Sequence, residues 1–372
     1  MKIDFTKPYF NKNMKKDVLK NIHDSLNSNT LMLSSKSKKL EKLFSRIIGT
    51  KYSITVNSGT TGLQIALRYA NVKNNEVIIP SASFITNVSS VLFEGGKPIL
   101  VDCNNNSLTF NIDDLKKKIN KKTKAIVWIH LAGYIGSEYK KIVEIAKKNK
   151  ILLIEDASHA HGSSINGKLA GSIGDVGIFS LYPTKVLTAG TGGIITTNNK
   201  KIFELAKSLR IFGKNENSGE VENLGNDWFL DEFRCSVAYV QLKNLGQIVK
   251  KRQKAAAYYL DTLPKSEFYD FLNLTPDIVS NWYHFPIFFK QKIMVDQIIL
   301  ELSKYHVTAK RIYKPVYEEK VFLKMNLGKN FYSTKILLDC SLCLPLYTSI
   351  TKKEQKYVVQ CFKKAIKNIK VE

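Results

Sequence analysis

Lys185 sits where lysines are rarely found, between the apolar segment Ile178-Phe179-Ser180-Leu181 and the glycine-rich turn Gly190-Thr191-Gly192-Gly193. Lysine side chains ordinarily occupy solvated faces. One held among short strands and turns is suited to amine chemistry such as carbonyl capture. Upstream, the apolar run Ile151-Leu152-Leu153-Ile154 ends in Glu155-Asp156 and turns through Ala157-Ser158-His159-Ala160-His161-Gly162. Four apolar residues in succession predict a strand buried on both faces. A carboxylate at its C-terminal end lies at a cleft, where open α/β sheets take their ligands. A third candidate is Asn57-Ser58-Gly59-Thr60-Thr61-Gly62, between the strand pattern Tyr52 to Val56 and the helical pattern Leu63 to Tyr69. A strand, a small polar turn and a helix N-terminus form an anion cradle, because free N–H groups and the helix dipole face the turn. Ordinary capping by Ser and Thr is the competing reading.

The elements that must position these residues alternate in type. Glu76 to Pro80, Pro98 to Asp102 and Ala125 to His130 read as strands, with helical segments through Asn87 to Leu92, Asp113 to Lys118 and Tyr139 to Lys148 between them. Such alternation predicts a mostly parallel mixed sheet flanked by helices. Asp227 to Phe233 is expected to open a helix, and a long helix from Val249 to Leu263 leads out of the large domain. We expect a large α/β domain over residues 1–250 and a smaller α+β domain over 251–372, with Leu337 to Leu346 as a strand-like run in the latter.

The length, 372 residues, suits one such pair of domains. No apolar run is long enough to cross a bilayer, and the start Met1-Lys2-Ile3-Asp4 lacks the apolar core of a secretory signal, so the expectation is a cytoplasmic protein without a membrane span. Five scattered cysteines do not describe a disulfide framework. Cys340 and Cys343 have a C-x-x-C spacing, but on a strand they would face opposite sides, which argues for packing thiols and against a metal. The formal charge of +25 is spread along the whole chain without a nucleic-acid-binding motif. It suits a phosphate-bearing small molecule better than nucleic acid.

Taken together, the lysine, the strand-end carboxylate and the phosphate cradle are what pyridoxal 5'-phosphate (PLP) requires. Its aldehyde needs an amine, its pyridine nitrogen an acidic partner, and its phosphate backbone donors. Phe84, at the end of a strand, is placed to stack on the ring.

Five segments in order, Asn57 to Thr61, Pro80-Ser81-Ala82-Ser83-Phe84, Glu155 to Gly162, Tyr182-Pro183-Thr184-Lys185 and Leu344-Pro345-Leu346-Tyr347, resemble the DegT/DnrJ/EryC1/StrS group of PLP-dependent sugar aminotransferases. The resemblance implies the type I aspartate-aminotransferase fold and a Schiff base between PLP and Lys185. It further implies Asp156 on the pyridine nitrogen, His159 by the ring, Phe84 stacked on it, and Gly59, Thr60 and Ser180 around the phosphate. Histidine replaces the lysine in relatives that remove a sugar hydroxyl, so Lys185 implies transamination. Val186 stands where the family commonly has Asn, Asp227 where it has an Asn that reaches the neighbouring subunit's phosphate, and Phe229 where it has Arg. Asn226 is the alternative for that inter-subunit contact.

The resemblance implies a homodimer with shared sites, an amino-acid donor such as L-glutamate, and a keto sugar on a nucleoside diphosphate as acceptor. Arg311, Tyr313 and Tyr317 are candidates for the substrate side, with surface or core-edge packing as the alternative. A keto-cyclitol aminotransferase and a PLP-binding regulatory protein without turnover are the competing functions.

Overall fold

The computed structural model describes residues 1–104, 108–325, 327–328 and 330–369. The main sheet contains β1 (Tyr52–Val56), β2 (Glu76–Pro80), β3 (Lys97–Val101), β4 (Thr123–Ile129) and β5 (Leu152–Asp156). After the two-residue strands β6 (Ser164–Ile165) and β7 (Lys168–Leu169), the chain returns to this sheet as β8 (Val176–Ser180) and β9 (Gly193–Thr197). The strand order is β1-β9-β8-β5-β4-β2-β3. Only β9 runs against its two neighbours, β1 and β8; the other pairings are parallel. The fold class is therefore the expected mostly parallel mixed sheet flanked by helices.

The polarity of β9 follows from its connection. Parallel neighbours need a crossover that spans the sheet, as the helix Tyr139–Lys148 does between β4 and β5. The segment from Leu181 to Gly192 instead folds back on itself at the end of β8, with Leu181 N–H donating to Gly192 O (2.8 Å) and Ala189 N–H to Leu181 O (3.0 Å). Lys185 lies in this reversal, beyond the C-terminal end of β8.

The smaller lobe is built on β10 (Tyr269–Phe271), β12 (Phe285–Phe289) and β13 (Ser341–Leu344), with β12 central and antiparallel to both. Its main helices are Lys292–Lys304 and Lys352–Lys367. The short strand β11 (Ile278–Val279) pairs instead with β6. The helix Leu245–Thr262 spans the expected division at residues 250 and 251. Its Arg252, 4% exposed, donates to the carbonyls of Asn281, Trp282, Tyr283 and Leu346 and so ties the helix to two segments of the smaller lobe.

Two expectations about elements need correction. Asp227 to Asp231 does not open the following helix, which is Glu232–Lys243. Asp231 is its N-cap and accepts from Arg234 N–H, while Ile211↔Asp227 and Met32↔Asp231 bridges keep the preceding residues extended. Leu337 to Leu346 is not one strand-like run, because Tyr332–Asp339 is helical and only Ser341–Leu344 is strand. The cause is distant in sequence. Asp102, beyond β3, accepts from the N–H groups of Ser333 (3.1 Å) and Thr334 (2.8 Å), capping a helix start that has no local cap. Cys340 therefore ends a helix and Cys343 lies in a strand, and all five cysteines are free and buried.

No helix among the described residues is long and apolar enough to cross a membrane.

Candidate active site

Asp156 ends β5, opposite Ile129 of β4 and Ile178 of β8. It is only 6% exposed, and two donors hold it: Asn87 Nδ2 to Oδ2 at 2.9 Å and Ser158 N–H to Oδ1 at 3.1 Å. Asn87 is itself 1% exposed, on the helix Ile85–Phe93 that follows β2. Strand alternation sends the adjacent Glu155 to the opposite face. There its carboxylate accepts from the N–H groups of Gly171, Ile173 and Gly174 and lies 2.8 Å from His130 Nε2. The two consecutive acids thus have separate tasks: Glu155 binds the structure of the sheet end, and Asp156 faces the cleft.

Lys185 is fixed at its backbone by a turn in which its N–H donates to Tyr182 O (3.0 Å). Its neighbour Thr184 shares a hydrogen bond with Tyr283 Oη (3.2 Å), and Lys185 Nζ stands 4.9 Å from the centroid of the Tyr283 ring. The aromatic face favours a cation at this distance.

The helix Gly59–Tyr69 begins beside the ends of β8 and β9. Ser58 caps it by accepting from Thr61 N–H (3.0 Å), and the Thr61 hydroxyl donates to Asn57 Oδ1 (2.6 Å). Capping engages Ser58 and Thr61, while Ser58, Gly59 and Thr60 line the cavity, so Ser58 serves both sequence readings of this turn. Close approach needs the glycine: a Cβ on Gly59 would stand 3.1 Å from Ser180 Cβ.

These segments enclose a cavity of about 430 Å³. Every proposed cofactor residue except Asp227 lines it: Gly59, Thr60, Phe84, Asp156, His159, Ser180 and Lys185. Of the substrate candidates, Tyr313 lines it and Arg311 and Tyr317 do not. Arg311 donates from Nε to Asp339 O (2.9 Å) and pairs with Asp296 (2.7 Å), beside an adjoining cavity of about 510 Å³. Tyr317 packs on Phe331 with ring centroids 4.9 Å apart. Asp227 is exposed, and its carbonyl accepts from Asn57 Nδ2 (3.2 Å). Val186 is buried, directed away from solvent in the Lys185 reversal.

The histidines of this region are held neutral. Burial, then the nearby Lys185 and the neighbouring histidines, keeps His159 well below the ordinary imidazole range. His161 and His284 are pushed down to about 3, chiefly by burial. His159 Nε2 lies 2.8 Å from Tyr313 Oη, and its ring stacks on Tyr283 with centroids 4.0 Å apart. The Tyr313 phenol is in turn raised well above its usual value, first by burial. Phe84, 43% exposed, leans against Tyr313 at 5.4 Å.

Sequence reasoning missed Asn87 and Tyr283. Asn87 is recognisable in retrospect as a polar residue on the helix face that buries Val88 and Val91. For Tyr283 the local sequence, Asn281-Trp282-Tyr283-His284, carries no comparable signal. Tertiary packing brings Tyr283 to the cavity and Asn87 to the Asp156 carboxylate.

The residues present fit pyridoxal phosphate. The amine and the carboxylate line one cavity, the helix start that borders it is built around a glycine, and His159 Nδ1 is a buried ring nitrogen without a hydrogen-bond partner among the described residues.

Comparison with known proteins points the same way. The UDP-4-amino-4,6-dideoxy-N-acetyl-beta-L-altrosamine transaminase of Helicobacter pylori is 28% identical over 379 residues, covering 99% of each chain. The dTDP-3-amino-3,6-dideoxy-alpha-D-galactopyranose transaminase of Aneurinibacillus thermoaerophilus is 30% identical over 361 residues, 94% of this chain and 95% of its relative. The solved structure of Helicobacter pylori PseC, an aminotransferase involved in the biosynthesis of pseudoaminic acid, superposes with a TM-score of 0.91 at 25% identity, covering 99% of this chain and 100% of the other. The model of the DegT/DnrJ/EryC1/StrS aminotransferase family matches residues 12–363, and the chain belongs to that family.

Proposed function

We propose that this chain is a PLP-dependent aminotransferase that moves the amino group of an amino acid, with L-glutamate as the expected donor, onto a keto sugar carried by a nucleoside diphosphate. The observation that carries the proposal is the convergence of the Lys185 amine, the Asp156 carboxylate and the N-terminus of the helix Gly59–Tyr69 on one cavity. The names of the relatives support the acceptor class, since both curated transaminases above act in nucleotide-sugar chemistry by name.

In this reading Lys185 is the covalent tether of the cofactor aldehyde, and Asp156, steadied by Asn87 and Ser158, pairs with the pyridine nitrogen. Gly59, Thr60 and Ser180 would hold the phosphate, and Phe84 and His159, which line the same cavity, would hold the ring. Bound there, the cofactor supplies an electron sink for the negative charge that develops when the donor loses its α-proton. The Lys185 amine would then serve as the base that takes the α-proton of the donor and as the acid that gives a proton to the carbon that receives the new amine. Tyr313 lines both the main cavity and the adjoining one, which suits a residue on the acceptor side. The homodimer belongs to the same reading. Asp227 is exposed and lies outside its own chain's cavity, as a residue offered to a neighbouring subunit would, with Asn226 beside it as the alternative contact.

The test is the visible spectrum of the purified protein with PLP. A band that shifts on adding glutamate and is absent in Lys185→Ala is expected. No band, or the same band in the variant, refutes the cofactor assignment. Nucleotide-linked 3-keto and 4-keto sugars are then compared with cyclitol ketones as acceptors, following pyridoxamine phosphate. Turnover of cyclitols alone would replace the sugar reading, and cofactor binding with no transamination of any acceptor would leave a regulatory role.

A further inference from the structure

Tyr283 enters the cavity from the smaller lobe, and four contacts set its position. Its N–H donates to Asn281 Oδ1 (2.9 Å) and its carbonyl accepts from Arg252 Nη2 (3.0 Å), so the backbone is held on both sides. Asn281 in turn donates from Nδ2 to the carbonyls of His159 (2.8 Å) and His161 (3.0 Å), locking this segment to the turn after β5. At the side chain, His159 stacks on the ring with an interplanar angle of 28°, and the phenol meets Thr184, the residue before the lysine. The result is a nearly buried aromatic face, 7% exposed, with Lys185 Nζ at 4.9 Å.

The surroundings of the amine make this face consequential. His159 and His161 from the turn after β5, and His284 next to Tyr283, are kept uncharged by burial. Among the described residues, Tyr182 and Tyr313 are the other phenols at the cavity and Asp156 is the one carboxylate lining it, already engaged by Asn87 and Ser158. The aromatic surface that the partly exposed Lys185 nitrogen meets is the Tyr283 ring, whose face attracts a cation.

We propose that Tyr283 is a positioning residue that holds the Lys185 nitrogen against its ring face and favours the charged form of that nitrogen. This rests on the assignment of Lys185 as the working amine. The phenol hydroxyl is secondary, serving only to tie the ring to Thr184.

Two measurements on the full chain test it. In cofactor-free protein, the reactivity of Lys185 is followed against pH by pulse labelling with acetic anhydride and mass spectrometry of its peptide. In PLP-loaded protein, the pH midpoint of the visible band is titrated. A cation–π contact to a partly exposed amine converts to a fall of about 0.4 to 0.7 pH units in the labelling midpoint of Tyr283→Leu, because the charged form loses its partner. Tyr283→Phe keeps the face and is expected to keep the midpoint. Mono-, di- and trifluorinated phenylalanine at position 283 keep the shape while draining the face, and are expected to lower the midpoint in steps. They also serve if the leucine variant does not fold.

An unchanged midpoint across the fluorinated series overturns the proposal. So does a fall in Tyr283→Phe equal to that in the leucine variant, which would assign the effect to the hydroxyl. A failure of the protein to bind PLP would defeat the cofactor reading yet leave the labelling experiment decisive for Tyr283.

Discussion

Asn87→Leu separates a residue's service to the fold from its service to the site. Asn87 Nδ2 donates to Asp156 Oδ2 at 2.9 Å, while Asn87 Oδ1 is buried with no hydrogen-bond partner among the described residues. Leucine has nearly the same volume. For stability, the substitution removes a hydrogen bond to a charged group, about 1.5–3 kcal/mol, and also removes an unsatisfied acceptor whose burial costs about 1–3 kcal/mol. The two nearly cancel, so the expected change in unfolding free energy is within about 1 kcal/mol, read from urea denaturation of the cofactor-free protein. For chemistry there is no such cancellation, since Asp156 loses one of its two donors. If the whole bond is expressed in the barrier, the half-reaction with glutamate slows about 10- to 150-fold. Stopped-flow measurement of that single half-reaction, with PLP saturating, isolates the effect. A variant that is folded, binds PLP and reacts at the parental rate would refute the view that Asn87 works through Asp156. A loss of several kcal/mol in stability would refute the cancellation.

The other perturbations test separate parts of the site. Gly59→Ala places a methyl group 3.1 Å from Ser180 Cβ, a contact relieved by shifts of a few tenths of an ångström. PLP affinity, measured by fluorescence titration, is expected to fall about tenfold, equivalent to about 1.4 kcal/mol, with little change in melting temperature. Glu155→Gln turns an amide donor toward Gly171 N–H or toward the N–H groups of Ile173 and Gly174, all of which now donate to the carboxylate. A loss of about 1–3 kcal/mol in denaturant unfolding is expected, and an unchanged value would contradict it. For His161, pushed down to about 3 from 6.5, the folded chain binds fewer protons than the unfolded one between those values. Its contribution is thus complete above pH 6.5 and declines as the pH falls toward 3, by up to about 1.4 kcal/mol per pH unit. His161→Phe removes two buried ring nitrogens that have no partner among the described residues and keeps an aromatic ring beside Phe179. Its melting temperature is expected to depend less steeply on pH over that window than the parent's.

The sequence by itself determined the alternation of strands and helices, the strand-end carboxylate, the turn and helix start at Gly59 and Thr60, and the lysine held between strand and glycine turn. These are local signals: an apolar run of strand length, a polar turn before a helical period, glycines flanking a reversal. Each constrains the backbone within a few residues of itself, so each survives without knowledge of the rest of the chain. The order of the motifs then made the family resemblance legible. Arg311 and Tyr317 show the reach of such reasoning, because proximity to Tyr313 in sequence did not bring them to the same cavity.

What only the tertiary structure decided are the contacts made across long separations. Asp102 caps a helix that begins at Tyr332, and Glu232 accepts from Ser34, Lys36 and Ser37 N–H groups at the start of the helix Ser35–Ile48. Arg252 and Asn281 seat Tyr283 beneath Lys185, and Asn87 reaches Asp156 from a different βα unit. In sequence these residues are two ordinary acids, a basic helix residue and two amides. Their roles come from which buried groups the folded chain leaves needing a partner, and that need exists only once the sheet and the smaller lobe have met.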